Sequence, residues 1–367
     1  MRIVMLGVKG LPGTFGGVER HVEELGAELV ARGHEVTVYV RRFYTPQEIV
    51  VRGVQTKLLP TIHTKHLDTT VHVLLSAFKA GFEPFDVAHY HGIGPGCFCP
   101  ITRLLGKPSV VTIHSLDYLR DKWSPGAKWA LRQAERVSAR CASRLICVSP
   151  SITARHAQSG RPVAHIPNGV SQPQPRPPLL IKEKYGLNGG DYVLYVGRIS
   201  PEKGVHYLVR AFKQIPGDRR LVVVGGTSHT DAYVRGLENE KDARTIMTGY
   251  LEGEILAELY TNAAAFVLPS EHEGMPVALL EAWSYGRPCL VSDIGPCRDV
   301  GGPDGQYCRY FITKDTDDLA RQLSALLNDP AAVGMAEAAR QHVLAHYGWP
   351  AIAARVEEQY RLAVEHR

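Results

Sequence analysis

Residues 2–41 read RIVMLGVKGLPGTFGGVERHVEELGAELVARGHEVTVYVR, and this stretch decides the fold class. The apolar runs RIVML and EVTVYV, near its two ends, each predict a strand. Between them, Val18, Val22, Leu25 and Leu29 line one face of a helix. A strand, a helix and a second strand in this order predict a parallel sheet that is covered by helices.

The same alternation continues through both halves of the chain. In the first half, the strand patterns DVAHYH, SVVTIH and RLICVS alternate with helical patterns over 67–81 and 127–142. Residues 168–178, NGVSQPQPRPP, are too rich in proline for a sheet interior and predict a linker. The alternation then restarts with YVLYVGR, RLVVVGG, AAFVLPS and PCLVSD. We therefore expect an α/β protein with two facing Rossmann-like domains, residues 1–172 and 173–348, parallel sheets and a cleft between the domains.

Composition narrows the functional classes. Seven cysteines without CxxC spacing argue against a disulfide framework and a structural zinc site. No apolar run approaches the roughly 20 residues of a membrane-spanning helix, so we expect a cytoplasmic protein. Residues 1–170 hold 21 Lys and Arg against 12 Asp and Glu, whereas residues 171–367 hold 21 against 25. The basic first half predicts an anionic partner or surface, but no aromatic-interleaved basic patch indicates nucleic-acid binding.

The strongest chemical pattern is EHEGMPVALLEAW, residues 271–283. It places Glu273 on a loop, Pro276 at the first position of a helix, and Glu281 about a turn and a half later. Backbone N–H groups at the helix start suit a phosphate, and the two carboxylates suit vicinal hydroxyls. A nucleotide sugar presents both groups. The alternative is an ordinary amphipathic helix with Glu in its solvated first turn.

Loops after other predicted strands carry further candidates. Gly16 and Gly17 precede the first predicted helix, but the glycines of this loop lack the GxGxxG spacing of dinucleotide-binding proteins. Either a ligand phosphate approaches the helix start at these glycines, or they form a flexible turn. Arg198 and Lys203 bracket the loop after VLYVG and could neutralise a diphosphate, although lone basic loop residues are usually solvated. His114 ends the strand VVTIH, either as a hydrogen-bonded core residue or as a catalytic one.

Two metal-site patterns are weak. His89 and His91 share a strand face and could bind a metal, but the sequence places no third ligand. Asp315, Thr316 and Asp317 resemble a DxD metal motif, yet they directly precede a helix, which favours N-terminal capping. We therefore expect no metal site.

A basic stripe recurs at four-residue spacing around the helix predicted over 127–142. Its members are Lys128, Arg132, Arg136, Arg140 and Arg144. A solvated face is the ordinary explanation of such a stripe. The alternative is contact with anionic lipid head groups.

Taken together, these segments resemble the retaining family 4 glycosyltransferases. The resemblance covers nearly the whole chain and rests on FGGVERHVEELGAELVARGHEV, HIPNGV, VGRISPEKGVHYLVRAF and the two glutamates with seven residues between them. The segment TIHSLDYLRDKW is similar to a branch of bacterial exopolysaccharide and O-antigen enzymes. The family has two facing Rossmann-like domains, the GT-B fold, and its last helix returns to the first domain. This implies such a return for residues 349–367.

The resemblance also implies residue roles. The implied catalytic residues are His114, Arg198, Lys203 and Glu273. The implied donor-binding residues are Gly16, Gly17, Arg198, Lys203, Glu273, Gly274, Met275, Pro276, Val277 and Glu281. Backbone near Gly225, Gly226, Tyr250 and Leu251 would contact the base. The first domain would serve the acceptor and the second would bind the donor.

The activity that the resemblance implies is retaining transfer of a sugar from a nucleoside-diphosphate sugar to a hydroxyl acceptor, without a metal or another cofactor. The acceptor would be a sugar or a lipid-linked sugar in bacterial cell-surface polysaccharide or glycolipid synthesis. Two alternatives stay open: a nucleotide-sugar 2-epimerase of the same fold, and a non-catalytic nucleotide-sugar sensor. A membrane-binding basic stripe would place the protein peripherally on the inner face of the membrane.

Overall fold

The computed structural model describes residues 1–13, 16–62, 64, 67–119, 123–226 and 230–366. The chain divides into two compact units. The first comprises Met1–Gly169 and Trp349–Arg367, and the second comprises Val170–Gly348. The sequence analysis placed the boundary after residue 172.

The first unit is built on an eight-stranded sheet. Its strands are β1 (Arg2–Leu6), β2 (Glu35–Arg41), β3 (Val50–Val51), β4 (Val54–Leu59), β5 (Val87–His91), β6 (Ser109–Ile113), β7 (Arg144–Cys147) and β8 (Val163–His165). Its helices are α1 (Gly17–Ala31), α2 (Leu67–Phe82), α3 (Ile93–Gly96), α4 (Cys99–Leu104), α5 (Pro125–Cys141) and α6 (Pro150–His156). The strand order is β3-β4-β2-β1-β5-β6-β7-β8, and only the pairing of β3 with β4 is antiparallel among these described strands.

The second unit is built on a six-stranded parallel sheet. Its strands are β9 (Tyr192–Val196), β10 (Arg220–Val224), β11 (Thr245–Gly249), β12 (Ala265–Leu268), β13 (Cys289–Ser292) and β14 (Arg309–Phe311). Its helices are α7 (Leu180–Tyr185), α8 (Val205–Lys213), α9 (Asp231–Glu240), α10 (Gly253–Asn262), α11 (Val277–Ser284), α12 (Gly295–Gly301), α13 (Thr316–Leu327) and α14 (Ala332–His346). The final helix, α15 (Trp349–Glu365), belongs to the first unit.

The order of the second sheet is β11-β10-β9-β12-β13-β14, the doubly wound arrangement in which the connection reverses between β9 and β12. Loops that follow these two strands diverge at the carboxyl edge of the sheet, and such a point is where ligands bind in this architecture. The predicted α/β fold class, with parallel sheets and interspersed helices, is confirmed.

Helix α15 completes the core of the first unit. Ile352, Val356 and Tyr360 recur at helical spacing, are at most 2% exposed, and share a cluster with Ile3 and Met5 of β1. Removing this helix would expose the apolar residues that it covers, so it is part of the folded unit.

Gly169 lets the chain pass close to the start of that helix. A Cβ atom at this position would lie 2.3 Å from the Trp349 ring, which is nearer than real Cβ contacts allow. The glycine of the HIPNGV segment therefore has a packing function in the first unit.

Strand β11 was not among the predicted strands. Its sequence, TIMTG, has only two apolar side chains and ends in glycine, and its residues are mostly half-buried. The strand lies at an edge of the sheet and, among the described strands, pairs with β10 alone. The apolar pattern of such an edge strand is weak.

Arg144 does not belong to the basic stripe, and this part of the prediction is wrong. Helix α5 ends at Cys141 because Ala142 adopts an extended backbone, with φ −60° and ψ 146°. Arg144 is the first residue of β7. The stripe on α5 keeps four cations, namely Lys128, Arg132, Arg136 and Arg140.

Candidate active site

The two loops that carry the predicted cations and the first glutamate meet at the carboxyl edge of the second sheet. Arg198 and Lys203 follow β9, and Glu273 follows β12. These strands are neighbours, with Val193 beside Ala265. The fold thus brings together residues that are 70 positions apart in sequence.

Lys203 and Glu273 form an ion pair at this edge. Lys203 Nζ lies 2.6 Å from Glu273 Oε1, and the two side chains are 17% and 9% exposed. The same carboxylate oxygen accepts a hydrogen bond from Ser270 Oγ at 2.7 Å. Ser270 is in turn fixed by Ser292, whose hydroxyl donates to its carbonyl at 2.5 Å. The carboxylate is therefore oriented by two donors in a largely desolvated place.

Gly204 permits the close approach of the two loops. Its φ is +68°, and a Cβ atom would lie 1.9 Å from the carbonyl oxygen of Pro269. The backbone N–H of Glu271 also donates to the carbonyl of Glu202 at 3.0 Å. A side chain at position 204 would push the loop of Lys203 away from the loop of Glu273.

Arg198 is held more loosely than Lys203. Its Nη2 atom is 3.8 Å from Glu202 Oε1, beyond hydrogen-bond length, and its side chain is 36% exposed. The backbone is better fixed, because Tyr195 donates its hydroxyl to the Arg198 carbonyl at 2.9 Å. The guanidinium can reorient toward an anion without breaking a buried contact.

The second glutamate, Glu281, lies on α11 and has a different partner. Tyr260 Oη, from α10, donates to Glu281 Oε2 at 2.9 Å. Tyr260 stacks on Tyr285, with ring centroids 5.4 Å apart and an interplanar angle of 10°. The sequence analysis missed Tyr260. The only signal was an aromatic residue in the helix that precedes AAFVLPS.

The helix start between the glutamates differs in detail from its prediction. Helix α11 begins at Val277, so Pro276 lies one residue before it. Gly274, Met275 and Pro276 are buried. The N–H of Val277, which belongs to the implied donor-binding backbone, already donates to the carbonyl of Met275 at 3.0 Å.

The loop after β10 packs on the Arg198 loop. A Cβ atom on Gly225 would lie 1.8 Å from the carbonyl oxygen of Gly197, and the N–H of Ile199 donates to the carbonyl of Gly226 at 3.0 Å. Tyr250, after β11, is half exposed. The backbone positions that the family resemblance implied for the nucleotide base follow β10 and β11. They therefore lie at the same carboxyl edge of the second sheet as Arg198 and Glu273.

In the first unit, His114 belongs to a group of imidazoles. It follows β6 next to β5, which ends at His91. His91 Nδ1 and His114 Nε2 are 3.1 Å apart, and the two rings are stacked. The ring of His21, from α1, lies 4.7 Å from that of His114 and 5.6 Å from that of His91. One nitrogen of each ring lies within 4.8 Å of the others.

These imidazoles are neutral over the ordinary pH range. Burial lowers the pKa of His21 to about 4. Burial and the neighbouring imidazoles hold the pKa values of His91 and His114 well below the usual range. Three neutral imidazoles are also a set that zinc binds. The sequence analysis missed His21, whose only signal was its place in the helix after the glycine pair.

His89 does not join that group through hydrogen bonds. Its Nδ1 is 2.6 Å from Tyr360 Oη and its Nε2 is 2.7 Å from Thr112 Oγ1, so both ring nitrogens are engaged. His89 therefore offers no free ring nitrogen to a metal together with His91. The imidazoles grouped with His91 are those of His21, on α1, and His114, after β6.

Gly16 and Gly17 lie in the first unit, at the start of α1. A Cβ atom on Gly17 would meet no atom within 4 Å, so packing does not require glycine there. Glu19 in the first turn is 7% exposed, and its Oε1 accepts a hydrogen bond from the N–H of Lys9 at 3.1 Å. The start of α1, where a ligand phosphate was expected, therefore has the carboxylate of Glu19 in its first turn.

The capping interpretation of the DxD triplet is confirmed. The Asp315 carboxylate accepts from the N–H groups of Asp317 and Asp318, at 3.1 and 2.9 Å, where α13 begins. Asp315 is therefore committed to the helix start.

Helix α5 presents an aromatic residue among its cations. Trp129 is 64% exposed. The Arg132 guanidinium lies 5.2 Å from the centre of the Tyr118 ring. Among the described helices, none has the length and hydropathy to cross a membrane.

Two protein families match the chain. The family described as Glycosyltransferase Family 4 matches residues 15–172, and the family described as Glycosyl transferases group 1 matches residues 180–342. Alpha-D-kanosaminyltransferase of Streptomyces kanamyceticus is 30% identical over 66% of this chain and 68% of its own. UDP-Gal:alpha-D-GlcNAc-diphosphoundecaprenol alpha-1,3-galactosyltransferase of Escherichia coli is 31% identical over 58% of this chain and 59% of its own.

Solved structures share the fold. Sucrose-phosphate synthase from Thermosynechococcus elongatus covers 100% of both chains with a TM-score of 0.87 and 24% identity. The Anabaena protein HepE, solved in complex with UDP-glucose, covers 98% of this chain and 99% of its own, with a TM-score of 0.79 and 18% identity.

Proposed function

Because the chain belongs to glycosyltransferase family 4, we propose that it transfers a sugar from a nucleoside-diphosphate sugar to a hydroxyl acceptor and retains the anomeric configuration. The observation that carries this proposal is the pairing of Lys203 with Glu273 at the switch point of the second sheet, with Arg198 on the same loop. A nucleotide sugar needs cations for its diphosphate and a carboxylate for its sugar hydroxyls, and this edge offers both. The UDP-glucose in the HepE structure supports this class of donor.

The chemistry follows from where charge develops. Departure of the nucleoside diphosphate builds negative charge on a phosphate oxygen, and Arg198 and Lys203 stabilise that charge. Glu273 orients the sugar hydroxyls, and Glu281 with Tyr260 holds the ribose hydroxyls. Lys203 is preorganised by Glu273, so binding of the diphosphate requires only that the ammonium be shared between two anions. For His114, in the first unit, we propose the catalytic role that the family resemblance implies.

The acceptor attacks the face that the leaving group vacates. The departing phosphate removes the proton of the acceptor hydroxyl, so no covalent enzyme intermediate is required. The cationic side chains take the part that a divalent metal has in other transferases, and the reaction proceeds without an added metal.

Two other functions use the same donor groups. A nucleotide-sugar 2-epimerase would release an isomerised sugar and form no glycoside. A nucleotide-sugar sensor would bind the donor tightly and turn over no acceptor. The membership of the chain in a transferase family favours transfer over both.

We place the acceptor among sugars and lipid-linked sugars of bacterial cell-surface polysaccharide or glycolipid synthesis, because the name of the Escherichia coli relative specifies a diphosphoundecaprenol-linked substrate. Peripheral attachment to the inner face of the membrane fits that acceptor. Exposed Trp129 suits the membrane interface, and each of the four cations of α5 contributes about 1 kcal/mol near an anionic surface.

Vesicle co-sedimentation at low salt tests the attachment. Replacing Lys128, Arg132, Arg136 and Arg140 with Gln should abolish binding to anionic vesicles. The matched control replaces four exposed cations of the second unit, Lys182, Lys184, Lys213 and Arg235, with Gln and should bind as the wild type does. Equal sedimentation of both variants, or no wild-type binding, would leave the stripe as a solvated face.

Thermal unfolding with a panel of nucleotide sugars tests the donor. A ligand at about 100 times its dissociation constant adds roughly 2.7 kcal/mol of apparent stability. One donor should raise the unfolding temperature of the wild type and have little effect on Lys203→Ala. A panel without any stabilising nucleotide sugar would contradict the proposed donor site.

A further inference from the structure

The hydrogen bond between His91 and His114 has a direction that the rest of the cluster sets. His91 Nδ1 and His114 Nε2 are 3.1 Å apart. A neutral imidazole carries one proton, so it donates through one nitrogen and accepts through the other. One of the two rings must therefore donate, and the choice fixes which nitrogen of each ring is protonated.

The second nitrogen of His91 decides between the two directions. Among the described residues, His91 Nε2 is a buried atom without a hydrogen-bond partner. If His114 donated, His91 would carry its proton on this nitrogen, and an N–H group would be buried without an acceptor. A lone pair without a donor is the less costly of the two defects, since buried N–H groups are the rarest to be left unpaired. His91 therefore carries its proton on Nδ1 and donates to His114 Nε2.

The tautomer of His114 follows. Its Nε2 accepts, so its single proton lies on Nδ1. His21 and His91 are 5% and 2% exposed, whereas His114, after the end of β6, is less buried. The Nδ1–H group of His114 is the one left for a bound molecule.

The surroundings keep both rings neutral. Burial is the largest cause of the lowered pKa values of His91 and His114, and the imidazoles of His21 and His89 add to it. His89 is engaged by Tyr360 from α15 and by Thr112 from β6.

We propose that His91 is a positioning residue, which holds His114 in the Nδ1-protonated tautomer so that His114 donates a hydrogen bond to an oxygen of the bound substrates. This inference rests on the proposed catalytic role of His114. His91 itself touches no substrate. Its effect passes through the orientation and the tautomer of its neighbour.

Two variants of His91 of similar size separate positioning from packing. In His91→Asn the side-chain amide can donate in place of Nδ1–H, whereas in His91→Leu the side chain can neither donate nor accept. Neither variant adds a charge that would protonate His114. We expect His91→Asn to keep kcat within about threefold of the wild type and His91→Leu to lose about tenfold or more, because the tautomer of His114 is then no longer fixed. The KM for the donor should change little in both. Equal losses in the two variants would overturn the proposal.

Nitrogen NMR of the imidazoles tests the same claim without turnover. In the wild type, the Nδ1 of His114 should give a protonated signal and its Nε2 an unprotonated one, with the assignment made from His114→Gln. His91→Leu should give a mixture of the two tautomers. A wild-type His114 protonated on Nε2 would overturn the inference even if the Leu variant failed to fold. If no nucleotide sugar is turned over, the proposed function fails, but the NMR result still decides the tautomer.

Discussion

The candidate residues of the two units work by opposite electrostatics. In the second unit, Lys203 and Glu273 are both charged and cancel each other at 2.6 Å. In the first unit, one ring nitrogen each of His21, His91 and His114 lies within 4.8 Å of the others, but the rings are neutral because burial has lowered their pKa values. The Lys203 ammonium, shared between Glu273 and a diphosphate, can stabilise the anion, whereas a neutral imidazole can only donate or accept hydrogen bonds. We therefore propose different roles for the two units. Residues of the second unit stabilise the leaving group, and His114 of the first unit donates a hydrogen bond to substrate.

The largest expected effect is acid destabilisation of the imidazole cluster. The pKa of His21 is about 4 in the folded chain and 6.5 in the unfolded chain, so between these pH values the unfolded chain binds a proton and the folded chain does not. The free energy of unfolding is therefore highest above pH 6.5 and decreases as the pH falls toward 4. His21 alone contributes about 3 kcal/mol of this loss, and His91 and His114 add to it. Urea unfolding between pH 7 and pH 4 measures the slope.

A variant pair isolates the contribution of the cluster. His21→Asn should flatten the pH dependence of the free energy of unfolding, whereas His366→Asn, at an exposed position after α15, should leave it unchanged. The same slope in both variants would show that the acid sensitivity arises elsewhere.

Breaking the charged pair should affect turnover and stability together. Lys203→Ala should lower kcat by about 100-fold or more, since it removes a charged stabiliser of the leaving group. It should also cost about 3 kcal/mol of stability, because Glu273 is left almost buried without its cation. Adding Glu273→Gln should restore most of the stability and none of the turnover.

Arg198→Ala is the matched control for that loop. It should lose a similar factor in kcat but little stability, because Arg198 is 36% exposed and loosely paired. Saturating-donor kinetics and urea unfolding of both variants give the comparison. Normal turnover in either single variant would remove the loop from the site.

Glu281→Ala should weaken donor binding by about 1.5–3 kcal/mol, since the ribose hydroxyls would lose their hydrogen bonds to an ionised carboxylate. Tyr260→Phe keeps the carboxylate but removes the hydroxyl that orients it at 2.9 Å, and should cost only about 0.5–1.5 kcal/mol. Calorimetric titration with the nucleoside diphosphate measures both. An unaffected Glu281→Ala would place the ribose elsewhere.

The smallest expected effect is that of chelation. Activity should persist after exhaustive treatment with a chelator, because cationic side chains meet the diphosphate. Loss of activity that is restored by zinc would assign His21, His91 and His114 to a metal site instead.

The sequence predicted the elements around the site better than the contacts within it. Strands such as RIVML and YVLYV follow directly from short apolar runs, and Lys203 and Glu273 follow from their places after such runs. The ion pair between them does not, because it depends on β12 lying beside β9. Only the strand order of the folded sheet supplies that information.

His21 shows the same limit in the first unit. Its position on the helix after the glycine pair was readable, but its neighbours lie on β5 and after β6, about 70 to 93 residues later in the chain. Burial lowers the pKa of His21. The periodicity of a sequence predicts burial for apolar residues but not for a histidine. Polar clusters of this kind need the tertiary structure to be seen.

The most direct test of the proposed retaining transfer is the anomeric configuration of the first-formed product. Once the thermal-shift panel has identified the donor, proton NMR of the reaction mixture at early times reads the new linkage before any mutarotation or further transfer. We expect the linkage to keep the configuration of the donor, since the acceptor attacks the face that the leaving diphosphate vacates. An inverted linkage, or an isomerised free sugar without a glycoside, would contradict it.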